Sequence, residues 1–229
     1  MKTKILYEDP QLFVIYKPAG IAVQSVRVGQ MDCESELRNY LACQGVSPPY
    51  IGLVHRLDQP VEGLLVVAKT KDAAAKLIKQ LAAGTLNKKY LAVVYLEKEG
   101  VAETGTFTDY LQKDGQVAKI ISSNIKETKN TKEACLHYQI LQRQEDLALV
   151  DVEIETGRFH QIRCQMAHHG MPLLGDVKYG SSASMEKSRE LGIRQVALCA
   201  NRIVFKHPAT GKSMEFEVKP ENIAFAKFL

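Results

Sequence analysis

The chain has 229 residues, 45% of them hydrophobic and 24% charged, with a net charge of +4 and a pI near 8.7. That size and composition build a core without disulfide or metal staples, which excludes wholesale disorder. The longest apolar run, Tyr90 to Leu96, is far short of the roughly 18 residues that a membrane span needs, and Glu8 and Asp9 arrive before any apolar stretch a secretory signal would require.

The apolar run Leu12–Tyr16 predicts a buried strand, and Lys17-Pro18-Ala19-Gly20 a turn. Glu34–Gln44 reads as a helix with Leu37, Tyr40 and Leu41 on one face and Gly45 as its stop. Gly52–Val54 and Leu64–Lys69 read as short buried strands, and the polar segment His55–Pro60 is the loop between them. In Asp72–Ala83, Ala73, Leu77 and Leu81 recur at helical spacing, and Gly84 follows. The middle is strand-rich: Lys89–Tyr95, Gly105–Leu111, Ala118–Ile121, Cys135–Gln142 and Leu147–Glu155, with polar Ser122–Lys132 as an excursion between strands. Phe159–His169 predicts a helix with Phe159, Ile162 and Met166 as its apolar stripe and Arg163 outside it. Gln195–Lys206 and Lys212–Val218 predict paired strands around a turn at His207–Gly211. Many strands with interspersed helices imply an α+β fold in one domain spanning residues 1–229, with a mixed, largely antiparallel sheet.

Charge is uneven. Residues 1–157 hold 19 Lys/Arg against 20 Asp/Glu, and residues 158–229 hold 11 against 6. The basic last third is either a solvated face or a surface for an acidic partner. The five cysteines, Cys33, Cys43, Cys135, Cys164 and Cys199, contain no C-x-x-C pair and read as reduced thiols of a cytoplasmic protein. The histidines show no H-x-x-x-H pair, and no metal site is expected. No P-loop, G-x-G-x-x-G or G-x-S-x-G occurs, so phosphoryl transfer, nicotinamide binding and serine hydrolysis lose their usual signatures.

Two segments stand out for chemistry. Asp58 sits in a polar loop between apolar strands, which hold a reactive group while leaving it open, although a lone aspartate there is more often a turn or capping residue. In Gly157-Arg158-Phe159-His160-Gln161-Ile162-Arg163, cations and amides crowd the start of a helix, which suits an anion site and equally a polar helix face.

Together these segments resemble the RluA-type family of RNA pseudouridine synthases. The resemblance rests on four motifs in the family's order: Tyr7-Glu8-Asp9-Pro10 through Lys17-Pro18-Ala19-Gly20; Val54-His55-Arg56-Leu57-Asp58 with Gly63-Leu64 and the strand to Lys69-Thr70; Lys88-Lys89-Tyr90-Leu91-Ala92-Val93; and Gly157–Arg163 continuing through Gly175-Asp176 and Tyr179-Gly180. It implies isomerisation of uridine to pseudouridine in ribosomal or transfer RNA, without metal or cofactor, by a monomer whose sheet carries flanking helices and a central active-site cleft. It assigns Asp58 the role of essential carboxylate, Tyr90 that of active-site tyrosine and Arg163 that of its cation. His55, Arg56, Leu57, Arg158, His160 and Gln161 would contact substrate, with Arg56 filling the gap left by an extruded nucleotide. Arg158, Lys178, Arg202 and Lys206 would grip phosphates.

The chain departs from the pattern in two places. Val61-Glu62-Gly63 stands where Thr-Ser-Gly is usual, and Phe159 where a small polar residue is common. An S4-type RNA-binding module is not expected ahead of a matching region that begins near residue 5. Two other readings compete. A non-catalytic RNA chaperone on the same fold would account for the altered loop. A glycoside hydrolase would use Asp58 and Glu62 as its carboxylate pair, but such a pair must flank one bond, and no tryptophan is present to line a sugar groove.

Overall fold

The computed structural model describes residues 1–25, 29–121 and 130–229. In chain order its elements begin with β1 (Lys4–Glu8), β2 (Leu12–Lys17), α1 (Cys33–Cys43), β3 (Gly52–Leu53), β4 (Glu62–Ala68) and α2 (Lys71–Ala82). There follow β5 (Asn87–Tyr95), β6 (Thr104–Asp114), β7 (Val117–Ile121), β8 (Thr131–Gln144) and β9 (Leu147–Ile154). The chain closes with α3 (Gln161–His168), α4 (Ser182–Glu190), β10 (Leu198–Lys206), β11 (Ser213–Glu217) and a 3-10 turn at Ile223–Lys227. No helix among the described residues is long and apolar enough to cross a membrane.

The chain divides into two compact units, each made of two segments: Met1–Lys88 with Cys199–Glu221, and Lys89–Leu198 with Asn222–Leu229. In the first unit, β1, β2, β4 and β10 lie side by side, with β3 on β4 and β11 on β10. The pairing is antiparallel except between β4 and β10, which run parallel at Cys199–Glu62 and Ala200–Gly63. Strand β2 is buried at every position because both of its faces are covered. Leu12 and Val14 share a core with Ala73, Ala74 and Leu77 of α2. On the alternate face, the Phe13 ring meets Tyr40 of α1 edge-on at 6.1 Å. Asp32 caps α1 and Thr70 caps α2, each accepting from a backbone N–H of the first turn.

In the second unit, β5, β9, β8, β6 and β7 form a fully antiparallel succession. Strand β8 carries an irregularity between Ile140 and Gln142, which leaves Leu141 half exposed. Gln165 of α3 ties the helix to this sheet, donating from Nε2 to Asp109 Oδ2 (2.7 Å) and to the carbonyls of Ala134 (3.1 Å) and Phe107 (3.2 Å).

Three expectations need correction. The helix at Phe159–His169 starts two residues later, because His160 takes a left-handed conformation (φ 54°) that cannot continue a helix. Its expected stripe is also wrong: Phe159 is exposed, while Arg163, placed outside the stripe, is buried. Of the polar excursion at Ser122–Lys132, residues 122–129 lie outside the described residues, and Thr131 and Lys132 already belong to β8. Strand β1 and helix α4 were not anticipated. Helix α4 buries only Ser184 and Ser188 and so shows no apolar periodicity.

Candidate active site

The loop carrying Asp58 is braced from within the first unit. The backbone carbonyl of Asp58 accepts from Val61 N at 3.0 Å, closing a turn. Gln59 is clamped to the Lys17–Gly20 turn. Its carbonyl accepts from Gly20 N (2.8 Å) and Lys17 Nζ (3.1 Å), and its amide Nε2 donates to the Gly20 carbonyl (3.0 Å). Lys17 Nζ also donates to the carbonyls of Ile21 (2.9 Å) and Pro18 (3.0 Å). This lysine is wholly buried, and burial pulls its pKa down to about 8 against the opposing pull of Cys33, Asp58 and Glu62. The turn expected at Lys17–Gly20 does not by itself reveal this role of Lys17. The available signal was a lysine closing an apolar strand.

The loop alternates its exposure: His55 and Leu57 are buried, Arg56 is exposed, and Asp58 is half-buried. His55 Nε2 accepts from Val66 N at 3.2 Å, which leaves the ring proton on Nδ1. Burial, helped by the positive charge of Lys88, holds its pKa well below 6.5, so the ring is neutral. His55 therefore acts from the interior as a support of the loop.

The altered residues after Asp58 also find their reasons here. Val61 is buried. Glu62 accepts from Tyr16 Oη (2.8 Å) and Glu221 N (3.0 Å), and is buried against β10 rather than paired across an open cleft with Asp58. That removes the basis for a glycosidase carboxylate pair. Gly63 has φ 126°, and a Cβ there would lie 2.5 Å from the backbone of Ala200.

In the second unit, Tyr90 lies on β5 opposite Val152 and is buried. Arg163 projects from the first turn of α3 and meets Asp176 in a two-pronged ion pair, Nε to Oδ2 at 2.6 Å and Nη2 to Oδ1 at 2.7 Å. Both side chains are almost completely buried. The guanidinium also lies 5.2 Å from the centroid of the Tyr179 ring. Asp176 Oδ1 additionally accepts from the backbone N–H groups of Lys178 (3.0 Å) and Tyr179 (3.3 Å). In the linear sequence Asp176 and Tyr179 are only parts of a motif, whereas in the fold both contact Arg163.

The turn at 157–160 is held by Gln161. Its Oε1 accepts from Thr156 Oγ1 (2.8 Å) and Arg158 N (3.0 Å), and its Nε2 donates to the Cys135 carbonyl (3.0 Å). His160 is buried, and its Nδ1 lies 2.7 Å from Tyr179 Oη, which in turn accepts from Ala118 N at 2.6 Å. Burial pushes the Tyr179 phenol up to about 12, so it stays protonated. Arg158 Nε donates to the Glu133 carbonyl at 2.8 Å.

Of the other expected phosphate contacts, Lys178 reaches the Gln116 carbonyl (2.8 Å), and Arg202 is engaged by Glu215 on β11 (2.7 Å). Arg158 and Lys178 belong to the second unit, Arg202 and Lys206 to the first. The fold also assembles side chains that linear spacing hid, with Asp109 of β6 beside His168 and His169 at the end of α3 in one group and Cys135, His137 and Glu155 in another. His169 Nε2 already sits 3.1 Å from Asp109, and His137 bridges Thr106 (2.8 Å) and Glu155 (2.7 Å).

A family model described as RNA pseudouridylate synthase matches residues 11–168. The chain is 34% identical to the Bacillus subtilis protein named "Uncharacterized RNA pseudouridine synthase YlyB", over 98% of this chain and 71% of that one. It is 35% identical to the ribosomal large subunit pseudouridine synthase D of Nitrosomonas europaea, over 93% of this chain and 61% of the relative. The corresponding Pseudomonas aeruginosa protein is 36% identical, over 95% and 68%. The chain thus spans roughly two thirds of the length of these curated relatives. Among solved structures, human RNA pseudouridylate synthase domain containing 4 shares the fold, with a TM-score of 0.76 at 23% identity, covering 98% of this chain and 92% of that one. With its residues matched in sequence over most of their length and its fold shared, this chain belongs to the RNA pseudouridylate synthase family, as an enzyme of the RluA type.

Proposed function

We propose that this protein converts uridine to pseudouridine within structured ribosomal or transfer RNA, with Asp58 as the essential carboxylate and no metal or cofactor. The reaction breaks the N1–C1′ bond of a uridine, turns the uracil, joins C5 to C1′, moves the C5 proton away and returns a proton to N1. It is redox-neutral. Asp58 serves as an ionised oxygen, either attacking C1′ or removing the C2′ proton, and both roles use the same group. Tyr90 offers its ring to the uracil and its hydroxyl to the departing C5 proton. Arg163 offsets the cost of desolvating a carboxylate, in a planar orientation that Asp176 holds.

The observation that carries this reading is the family match over residues 11–168, which contains Asp58, Tyr90 and Arg163 in the order the motifs require. The braced loop supports it: a turn closed at Val61 and clamped at Gln59 presents Asp58 on a rigid mount. Exposed Arg56 next to it suits insertion into a base stack, and His55 and Leu57 hold the loop from behind. Arg158, His160 and Gln161 shape the turn that faces substrate. The test is tritium release from RNA labelled at uridine C5. Wild type releases tritium and Asp58→Asn does not, with a loss of at least about a hundredfold. RNA binding by the wild type without release would establish a binding protein instead. Pseudouridine mapping of cellular RNA with and without the protein names the site.

A further inference from the structure

Among the described residues, the second unit carries a groove of about 200 Å³ on the sheet face beside the 157–160 turn, bordered by Leu111, Lys113, Ala118, Lys132, Arg158 and Phe159. The strand registers explain its composition. Leu111 pairs with Lys132 and Lys113 with Ala118, so these four side chains share one face of β6, β7 and β8. Leu111 and Ala118 are buried and form a floor with Ala134 and Cys164. Lys113, Lys132 and Arg158 supply three positive charges. Among the described residues none of them forms a salt bridge and no carboxylate lines the groove.

Phe159 is the feature without a structural reason. It is 39% exposed, although it is a large apolar side chain. Yet the ring is not loose. It stacks on His160 with centroids 3.8 Å apart, His160 is fixed by Tyr179 Oη at 2.7 Å, and that hydroxyl is fixed by the backbone of Ala118. Lys113 Nζ lies 4.9 Å from the ring centroid. A rigid exposed ring bordered by cations that form no ion pair among the described residues matches the recognition chemistry of unpaired nucleotides, in which the base stacks on an aromatic face and the phosphate takes the cations.

We propose that this groove binds one unpaired nucleotide of the RNA substrate, its base stacked on Phe159 and its phosphate held by Lys113 and Lys132. The proposal rests on the reading of the protein as one that acts on RNA. Lys113, on a flexible stem, exchanges its contact with the ring for the phosphate.

The test is fluorescence anisotropy with a fluorescein-labelled oligouridylate of about eight nucleotides at about 50 mM salt. Phe159→Leu keeps the apolar bulk and removes the stacking face, and it raises Kd roughly 5- to 100-fold, while Phe159→Tyr binds like wild type. Lys113→Ala and Lys132→Ala each lower the slope of log K against log salt by about 0.7. Oligouridylate binding by Phe159→Leu within about twofold of wild type overturns the proposal, as does a wild type that fails to bind the probe. Tritium release is scored separately on the wild type. Phe159-dependent binding without release keeps the groove and removes the isomerase reading, whereas release with Phe159-independent binding does the reverse.

Discussion

Arg163 is held by Asp176 through two parallel hydrogen bonds of 2.6 and 2.7 Å, with both side chains almost entirely removed from water. A buried guanidinium is expensive unless it is paired, so the position of Arg163 depends on a partner thirteen residues away in sequence. Asp176→Asn keeps the shape and removes the charge that the guanidinium is bound to on this side. We expect a loss of about 3–5 kcal/mol in urea unfolding, with a parallel loss of tritium release. A variant within about 1 kcal/mol of wild type would show that the pair does not hold Arg163 in place.

Lys17 makes a pH-dependent prediction. Its folded pKa is lowered to about 8 from 10.5 by burial. Between those values the unfolded chain holds a proton that the folded chain has released, so stability contributed at this site rises as pH rises through that window. Below about pH 8 both states are protonated and the full penalty applies. The stability gap between wild type and Lys17→Met should therefore widen in favour of wild type from pH 8 to 10.5, by up to about 3 kcal/mol. Urea unfolding at several pH values measures it, and a gap that ignores pH would contradict the assignment.

His55 acts in the same direction at lower pH. Burial depresses its folded pKa well below 6.5, so as pH falls through 6.5 the unfolded state gains a proton and the folded state does not. Wild type should lose stability relative to His55→Gln on acidification from pH 7 to 5, as read from thermal melts at each pH. Parallel melting curves for the two proteins would mean the ring titrates normally.

Gly63→Ala should destabilise severely. The new Cβ would meet the Ala200 backbone at 2.5 Å, where the parallel pairing of β4 and β10 leaves no room, and φ 126° is unsuited to alanine. We expect a cost above about 3 kcal/mol and a protein largely in the insoluble fraction. Soluble protein with a wild-type melting temperature would show that the two strands are not so closely set.

Much of this was legible along the chain. The unbroken apolar run at Leu12–Tyr16 and the helical spacing of Ala73 and Leu77 are local patterns, and the structure carries them as β2 and α2. The order of the four motifs pointed to the family that the matched residues establish. Local patterns failed where burial has no period. Helix α4 shows the interior only serines, and Arg163 reads as surface until Asp176 is brought to it.

What the linear order of residues determined by itself is the family, the alternation of buried and exposed strand positions, and the candidate carboxylate at Asp58. What only the folded chain decided is which groups are partners: Lys17 with three backbone carbonyls, Arg163 with Asp176, Phe159 with His160 above a basic groove. It also decided that residues 199–221 return to join the first unit. The reason is that periodicity reports how each residue meets water, whereas a hydrogen bond or ion pair needs a second atom within about 3 Å, and chain separation carries no information about which atom that will be.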